Sequence, residues 1–372
     1  MSQPLGVGVI GCGYWGPNLI RNFAHHPESR VVAVCDVRLE RAEQLATWYP
    51  ISKVTSDPME LIADPRVDLV VVATPARTHY PLAKAALEAG KSVLTMKPMA
   101  TSVEHAEELV EIAAANSLLL AVDHTFVYTS AVRRMREMVE NGDLGDIYYV
   151  DSVRINLGVF QSDVNVIWDL GPHDVSIIDY VLGGELPTEV SAIGAAHAGS
   201  RRENIAYLTM QYPPNVIGHV HVNWLAPAKI RRTIVGGSKQ MLVYDDMQPS
   251  EKLLVYDRGV DISPWDDAEQ VYSQLVSYRA GDVRAPRLDD REALAVEVDE
   301  IVQCLMHGGR PAADAASGLR TVRILDAAAR SAHDSSHPVR LADAPIRDLR
   351  PIPINVQAAG AEAELGERAS TG

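Results

Sequence analysis

Two short stretches of this 372-residue chain carry side chains that belong to chemistry rather than to packing. In residues 91–100, KSVLTMKPMA, an apolar strand runs into Lys97 with Pro98 behind it. An ammonium at the end of a buried strand is costly unless a ligand or partner uses it. In residues 165–184, NVIWDLGPHDVSIIDYVLGG, Asp169 and His173 are four apart, on one face if a helix has begun by Gly171. A carboxylate beside an imidazole orients a general base and stabilises its protonated form. The same spacing suits an aspartate capping a helix and a histidine satisfying its first turn, and spacing leaves both readings open.

A third stretch, VGVIGCGYWG, sets Gly11, Gly13 and Gly16 in Gly-x-Gly-x-x-Gly spacing, directly after an apolar run and at the start of a helical pattern. Glycines there allow a tight turn, close approach of backbone to a pyrophosphate, and close helix–strand packing; the helix N-terminus faces the phosphates. Tyr14 and Trp15 lie inside this loop. Asp36 ends the next apolar run, 20 residues past Gly16, where a carboxylate accepts ribose hydroxyls. It repels a 2′-phosphate and so points to NAD; Val37 follows, and Arg38 leaves NADP open. Further on, VVATPARTHYPLA brings Thr74 and Pro75 off the carboxyl end of a strand, where open sheets bind ligands. Thr78 reads as the cap of the following helix, and His79 faces either the cofactor or its own turn. Met96, beside Lys97, ends the next strand.

The elements that must position these groups follow from hydrophobic period. Through about residue 125, continuous apolar runs at 7–10, 31–36, 67–74, 91–95 and 117–123 alternate with helical patterns such as 80–89 and 103–115. That alternation predicts βαβ units and a parallel sheet covered on both faces. A helix at 131–139 follows, and then period-two strands at 147–157, 188–196, 204–212, 216–225, 231–237, 239–246 and 252–257 predict an antiparallel sheet with one more exposed face. Late helices are expected at 290–307 and 315–333. The fold class is α/β: a doubly wound parallel sheet of the Rossmann type over residues 1–125, then an α+β domain with a large, mostly antiparallel open sheet over 126–345. Residues 355–372 lack a periodic apolar face and read as a mobile tail.

Composition excludes several function classes. A net charge of −15 with no basic run argues against a nucleic-acid surface. The longest apolar run, 67–76, is too short to cross a bilayer. Three scattered cysteines form no zinc or disulfide pattern and, with no leader of the secretory kind, lead to the expectation of a cytoplasmic protein. His219 and His221 share a strand face, but with no third ligand at a fitting spacing they read as a solvated surface, and no metal is expected. Weaker candidates for substrate contact are Arg154 and Asn156 on one strand face, Asn165 and Trp168 before the Asp–His pair, and His124 and Tyr128 past the last parallel strand. Arginine suits a diphosphate or carboxylate, and tryptophan suits a sugar face.

Taken together these residues resemble the Gfo/Idh/MocA oxidoreductases, NAD(P)-dependent dehydrogenases of sugars and cyclitols. The resemblance runs from GVIGCGYWGPNLIRNF through ATPARTHYPLAKAALEAGKSVLTMKPMA, DHTFVYTSAVRRM and WDLGPHDVSIIDYVLG to GGRPAADAASGLRTVRILDAAARS. GYWGPNLIRNF, HTFVY and WDLGPHD are most similar to the branch acting on nucleotide-linked sugars, including UDP-N-acetylglucosamine-type 3-dehydrogenases and dTDP-sugar 3-ketoreductases, and to aminoglycoside-pathway relatives. The resemblance implies a second domain whose sheet builds homodimers or homotetramers. It implies a small-molecule sugar substrate, with Lys97 beside the nicotinamide at the reacting hydroxyl and the Asp169–His173 pair supplying the base. The family's Glu-Lys-Pro signature reads Met96-Lys97-Pro98 here. The missing acid leaves two expectations: a lysine suited to proton transfer, or a site that binds sugar without turning it over. The leading expectation is oxidation of a secondary alcohol, at C3 of a nucleotide sugar or aminosugar. Its rivals are an NADPH-dependent sugar 3-ketoreductase and a non-catalytic, dinucleotide-bound sensor.

Overall fold

The structure, a computed structural model, describes residues 3–158, 160, 161, 163–262 and 276–341. The expected tail at 355–372 lies outside the described residues. The chain divides into two compact units, residues 3–128 with Glu292–Val322, and Thr129–Arg291 with the segment from Arg323.

The first unit alternates strand and helix: β1 (Leu5–Ile10), α1 (Gly16–His25), β2 (Ser29–Cys35), α2 (Leu39–Ala46), β3 (Lys53–Thr55), α3 (Pro58–Ile62), β4 (Leu69–Val72), α4 (His79–Glu88), β5 (Ser92–Met96), α5 (Val103–Ala115) and β6 (Leu120–Asp123). The six strands are parallel in the order β3-β2-β1-β4-β5-β6. The order reverses beside β1, the switch point at which such sheets bind ligands. β1, β4 and β6 are buried at every position, which is why they read as unbroken apolar runs. α1 turns Leu19, Ile20 and Phe23 into the core at helical spacing.

The second unit opens with α6 (Ser130–Glu140), capped by the Thr129 hydroxyl. There follow β7 (Ile147–Leu157), α7 (Val166–Asp169), α8 (Gly171–Val181), β8 (Glu189–Ala195), β9 (Ile205–Tyr212), β10 (Val216–Asn223), β11 (Leu225–Gly237), β12 (Met241–Asp245), β13 (Leu253–Tyr256), β14 (Gly259–Ile262), β15 (Val276–Arg279) and β16 (Val283–Arg284). Two helices, α9 (Ala293–His307) and α10 (Ala315–His333), and β17 (Val339–Arg340) complete the described chain. Nine strands form one sheet, β16-β13-β12-β11-β7-β10-β9-β8-β17, in which β7 and β10 run parallel and the remaining pairs antiparallel. Alternation is clean in β9, where Ala206, Leu208, Met210 and Tyr212 are buried while Tyr207 is exposed.

α9 belongs to the first unit, and its Leu294, Val298, Ile301, Val302 and Leu305 fill the same core as β1 and α1. On sequence the late helices are expected within the second domain, 126–345, packing back on the Rossmann domain.

Candidate active site

In the first unit the candidate residues gather at the C-terminal ends of β1, β2, β4, β5 and β6. Gly11 has φ +103°, and a Cβ there would lie 2.3 Å from the Ala73 carbonyl oxygen. At Gly16 a Cβ would lie 2.0 Å from the Gly11 carbonyl oxygen. Gly13 differs: its nearest neighbour would be Arg41 Nη1 at 3.7 Å, so the protein's own packing does not require a glycine there. A surface left bare beside a helix N-terminus that no side chain caps fits a pyrophosphate lying against backbone.

Asp36 is buried and already at work: Oδ2 accepts the Cys12 backbone N–H at 2.8 Å and Oδ1 that of Arg38 at 2.9 Å. It therefore ties the glycine loop to the end of β2, and a carboxylate's spare lone pairs remain for ribose hydroxyls. Around it Tyr14 is 93% and Val37 88% exposed, apolar surface that an adenosine could cover. Arg41, not singled out by the sequence, joins Arg38 at this edge; its signal was only its place one turn into α2.

His79 is buried with Nδ1 2.7 Å from the Pro98 carbonyl oxygen and Nε2 2.8 Å from that of Thr74. It thus links the turn after β4 to the turn after Lys97, a longer reach than its own turn. Thr78 does not cap α4 through its side chain; its hydroxyl donates to the Pro75 carbonyl at 2.7 Å and lies 2.7 Å from the Thr74 hydroxyl. Lys97 follows directly on β5 and is half-buried. Met96 packs against the apolar core and is in register with Asp123 on β6, so an acid does stand at this level of the sheet. His124, next along, is buried with neither ring nitrogen hydrogen-bonded among the described residues. Burial, and then the Lys97 charge, push its imidazole down to about 3, so it is neutral at ordinary pH. Tyr128 is a core residue whose hydroxyl accepts the Ala313 N–H at 3.2 Å, rather than a ligand-facing side chain.

In the second unit the Asp–His stretch is two helices. α7 is capped by Asn165, whose Oδ1 accepts the Trp168 N–H at 3.1 Å and whose Nδ2 donates to Glu203 at 2.9 Å. Asn165 is thereby a capping residue rather than a sugar contact, and Asp169, at the end of α7, is not the cap. The Asp169 carboxylate accepts the Trp224 indole N–H at 3.1 Å. Trp224 was not foreseen; Gly158 makes room for it, since a Cβ there would lie 2.6 Å from the indole. His173 sits in the first turn of α8, half-buried, as is Trp168.

Arg154 is the clear correction. Its side chain is 3% exposed and its Nε lies 2.6 Å from Asp174 Oδ2, the latter side chain 2% exposed. A guanidinium paired this deeply belongs to the core, not to a diphosphate. The alternation that put Arg154 and Asn156 on one face was right, but it did not reveal that Arg154 turns inward; Asn156 is only half-buried. His219 lies 2.8 Å from Asp151 and His221 stacks on Tyr207 at 4.3 Å. Among the described residues no group of three His, Cys, Asp or Glu could hold a metal, and no helix is long and apolar enough to cross a membrane.

A parallel six-stranded sheet with this loop defines a dinucleotide-binding protein of the Rossmann class. The match is specific: residues 5–124 fit the model described as "Oxidoreductase family, NAD-binding Rossmann fold" and residues 132–243 the "GFO/IDH/MocA C-terminal domain". The chain belongs to the Gfo/Idh/MocA family of NAD-dependent sugar and polyol oxidoreductases. It is 30% identical to the Escherichia coli uncharacterized oxidoreductase YdgJ over 68% of this chain and 75% of that one. It is 31% identical to the D-glucoside 3-dehydrogenase of E. coli over 54% of this chain and 60% of that one, and 29% identical to a Rhodococcus erythropolis inositol 2-dehydrogenase over 71% and 78%. Among solved structures, GenD2 from gentamicin A biosynthesis, in complex with NAD, superposes with TM-score 0.77 at 25% identity, over 92% of this chain and 97% of that one.

Proposed function

We propose that the protein oxidises a secondary alcohol, at C3 of a sugar, and that the sugar is a nucleotide sugar or aminosugar. The observation that carries this is Lys97 at the carboxyl end of β5, in the same unit as a glycine loop and Asp36 fitted for a dinucleotide. Support for the ring position comes from the D-glucoside 3-dehydrogenase, and for the cofactor from GenD2 of gentamicin A biosynthesis, solved with NAD.

In this reading the bound dinucleotide supplies the hydride acceptor. His173 takes the hydroxyl proton, Asp169 steadies the resulting imidazolium, and Trp224 holds Asp169 in place. Lys97 donates to the same oxygen and stabilises the negative charge that develops as the carbon–hydrogen electron pair leaves. The products are a ketone, the reduced cofactor and one proton. Purified protein incubated with NAD⁺ and a panel of UDP- and dTDP-sugars, aminosugars and inositols is expected to generate NADH absorbance with an aminosugar or nucleotide sugar. NADH from inositol alone would move the substrate to the cyclitols; silence with NAD⁺ but oxidation of NADPH by a keto-sugar would make it a reductase. Arg38 and Arg41 beside Asp36 give that second reading its one foothold, as two cations able to meet a 2′-phosphate.

We also propose that the outer face of the nine-stranded sheet closes a homo-oligomer. Ile193, Tyr207 and His221 form one cross-strand row there, and exposed Ile217 and Tyr149 pair further along the same face, past the polar row of Ser191, Thr209, His219 and Asp151. Large aromatic and aliphatic side chains left exposed on an open sheet face are the kind of surface a second copy covers. Sedimentation should give a dimer or tetramer that Tyr207→Glu dissociates; a wild-type monomer would end the proposal.

A further inference from the structure

α9 buries an apolar stripe, but in the middle of it stands Glu297, 0% exposed. A carboxyl group in such a place needs a reason. The charge that acts on it most is that of Asp123, the last residue of β6, which is itself 1% exposed. Two carboxylates coupled in this way out of water do not both ionise.

The donors around them say which group holds it. Asp123 Oδ2 accepts the Trp15 indole N–H at 2.6 Å, and Oδ1 accepts the Thr125 backbone N–H at 3.1 Å and the Thr125 hydroxyl. Three donors stabilise an anion. Glu297 receives no such donor among the described residues, and Glu300, one turn on, adds a further negative charge. Burial, then the Asp123 charge, hold the Glu297 carboxyl well above the usual carboxylate range. Glu297 is thus the neutral acid and Asp123 the anion.

Trp15, at the far end of this chain of contacts, is the residue preceding α1 and lies between Gly13 and Gly16 in the dinucleotide loop. Its ring stacks on that of the exposed Tyr14, centroids 6.4 Å apart. Neither acid lies in the sequence motifs that announce the loop, and no step of the proposed reaction uses either.

We propose that Asp123, buried on β6 near Glu297, positions the dinucleotide loop by holding the indole of Trp15. Asp123 is a positioning residue, acting on the cofactor's seat through Trp15. The inference rests on the NAD-binding reading of that loop. A charged, buried hydrogen bond that fixes a loop is the sort of contact whose loss is felt at the ligand the loop holds.

The test is NAD⁺ titration of the full chain, followed by tryptophan fluorescence quenching or calorimetry, with the thermal midpoint of each variant. Trp15→Phe removes the donor and keeps a ring; Asp123→Asn removes the charge. Each is expected to weaken NAD⁺ binding about tenfold or more. The double variant is expected to be no weaker than the weaker single, because both break one bond. Glu297→Gln, which is uncharged and of the same shape as the neutral acid, should bind within about twofold of wild type. If Asp123→Asn does not fold, Trp15→Phe and Glu297→Gln decide between them. Additive losses, unchanged binding in Trp15→Phe, or a Glu297→Gln variant as weak as Asp123→Asn would overturn the proposal. A wild-type chain that binds no NAD⁺ would overturn the reading of the loop as well; normal wild-type binding with uncoupled variants overturns only this inference.

Discussion

Lys97→Met is expected to cut turnover roughly 10²- to 10⁴-fold while NAD⁺ affinity stays within about threefold of wild type. The size follows from what the ammonium is asked to do. It meets an oxygen that gains negative charge only as hydride departs, so its contribution appears in the transition state and hardly in cofactor binding. The fold supports the split. The loop that seats the phosphates hangs from β1 and is fixed by Asp36 from β2, whereas Lys97 leaves β5. Methionine matches the length of the lysine stem without its charge, so the packing of Met99 and Ala100 behind it is disturbed little. Substrate titrations at saturating NAD⁺, alongside direct binding of NAD⁺, separate the two effects. Loss of cofactor binding in parallel with turnover would show that Lys97 builds the loop instead, and full activity would leave it no chemical role. His124 cannot step in as the acid, since burial, the larger cause of its lowered pKa, remains when the Lys97 charge is removed.

How much of this was legible beforehand depended on the range of the contact involved. The glycine loop, Asp36 and the strand ends are local in sequence, and each was marked by residue type and spacing. Their geometry adds reasons the sequence could not: Gly11 and Gly16 face carbonyl oxygens, whereas Gly13 meets only the Arg41 guanidinium, at contact distance. What stayed hidden were the long-range partners. His79 was visible as a histidine at a helix start, but its bond to the Pro98 carbonyl 19 residues away was not. Glu297 looked like one charge on a late amphipathic helix, because helical period does not tell a polar position on the solvent side from one buried within reach of the charge of an acid 174 residues earlier. Trp224 falls inside the expected strand 216–225 but stands at the bend between β10 and β11, and nothing local names Asp169 as the acceptor of its indole N–H. Arg154 misled for the same reason. Period two assigns faces, and only the partner on α8 shows which face is the core.

Removing one partner of the Arg154–Asp174 pair is expected to be the most destabilising single change in the second unit. Arg154 Nε lies 2.6 Å and Nη2 3.3 Å from the Asp174 oxygens, and the Ser152 hydroxyl donates to the same carboxylate at 2.7 Å. Ser152 in turn lies 2.9 Å from the Thr233 hydroxyl on β11, so the pair ties β7, β11 and α8 together. Both side chains are almost wholly out of water. Asp174→Ala would leave a guanidinium there with its countercharge gone, and breaking a buried pair in this way costs about 3–5 kcal/mol. For a unit of this size that is on the order of 10 °C in the midpoint of its thermal transition. Arg154→Met with Asp174→Leu removes both charges and refills the volume, and should recover most of the loss, because the penalty lies in the stranded charge rather than in the absent bond. Thermal unfolding of the two single variants and the double variant measures this directly. The activity of Asp174→Ala below its midpoint adds a second reading, since Asp174 is the residue after His173 and a shift of the first turn of α8 moves the proposed base. A single variant within about 2 °C of wild type would mean that water reaches the pair. A double variant no better than the singles would show that the bond itself, and not the uncompensated charge, is what holds α8 to the sheet.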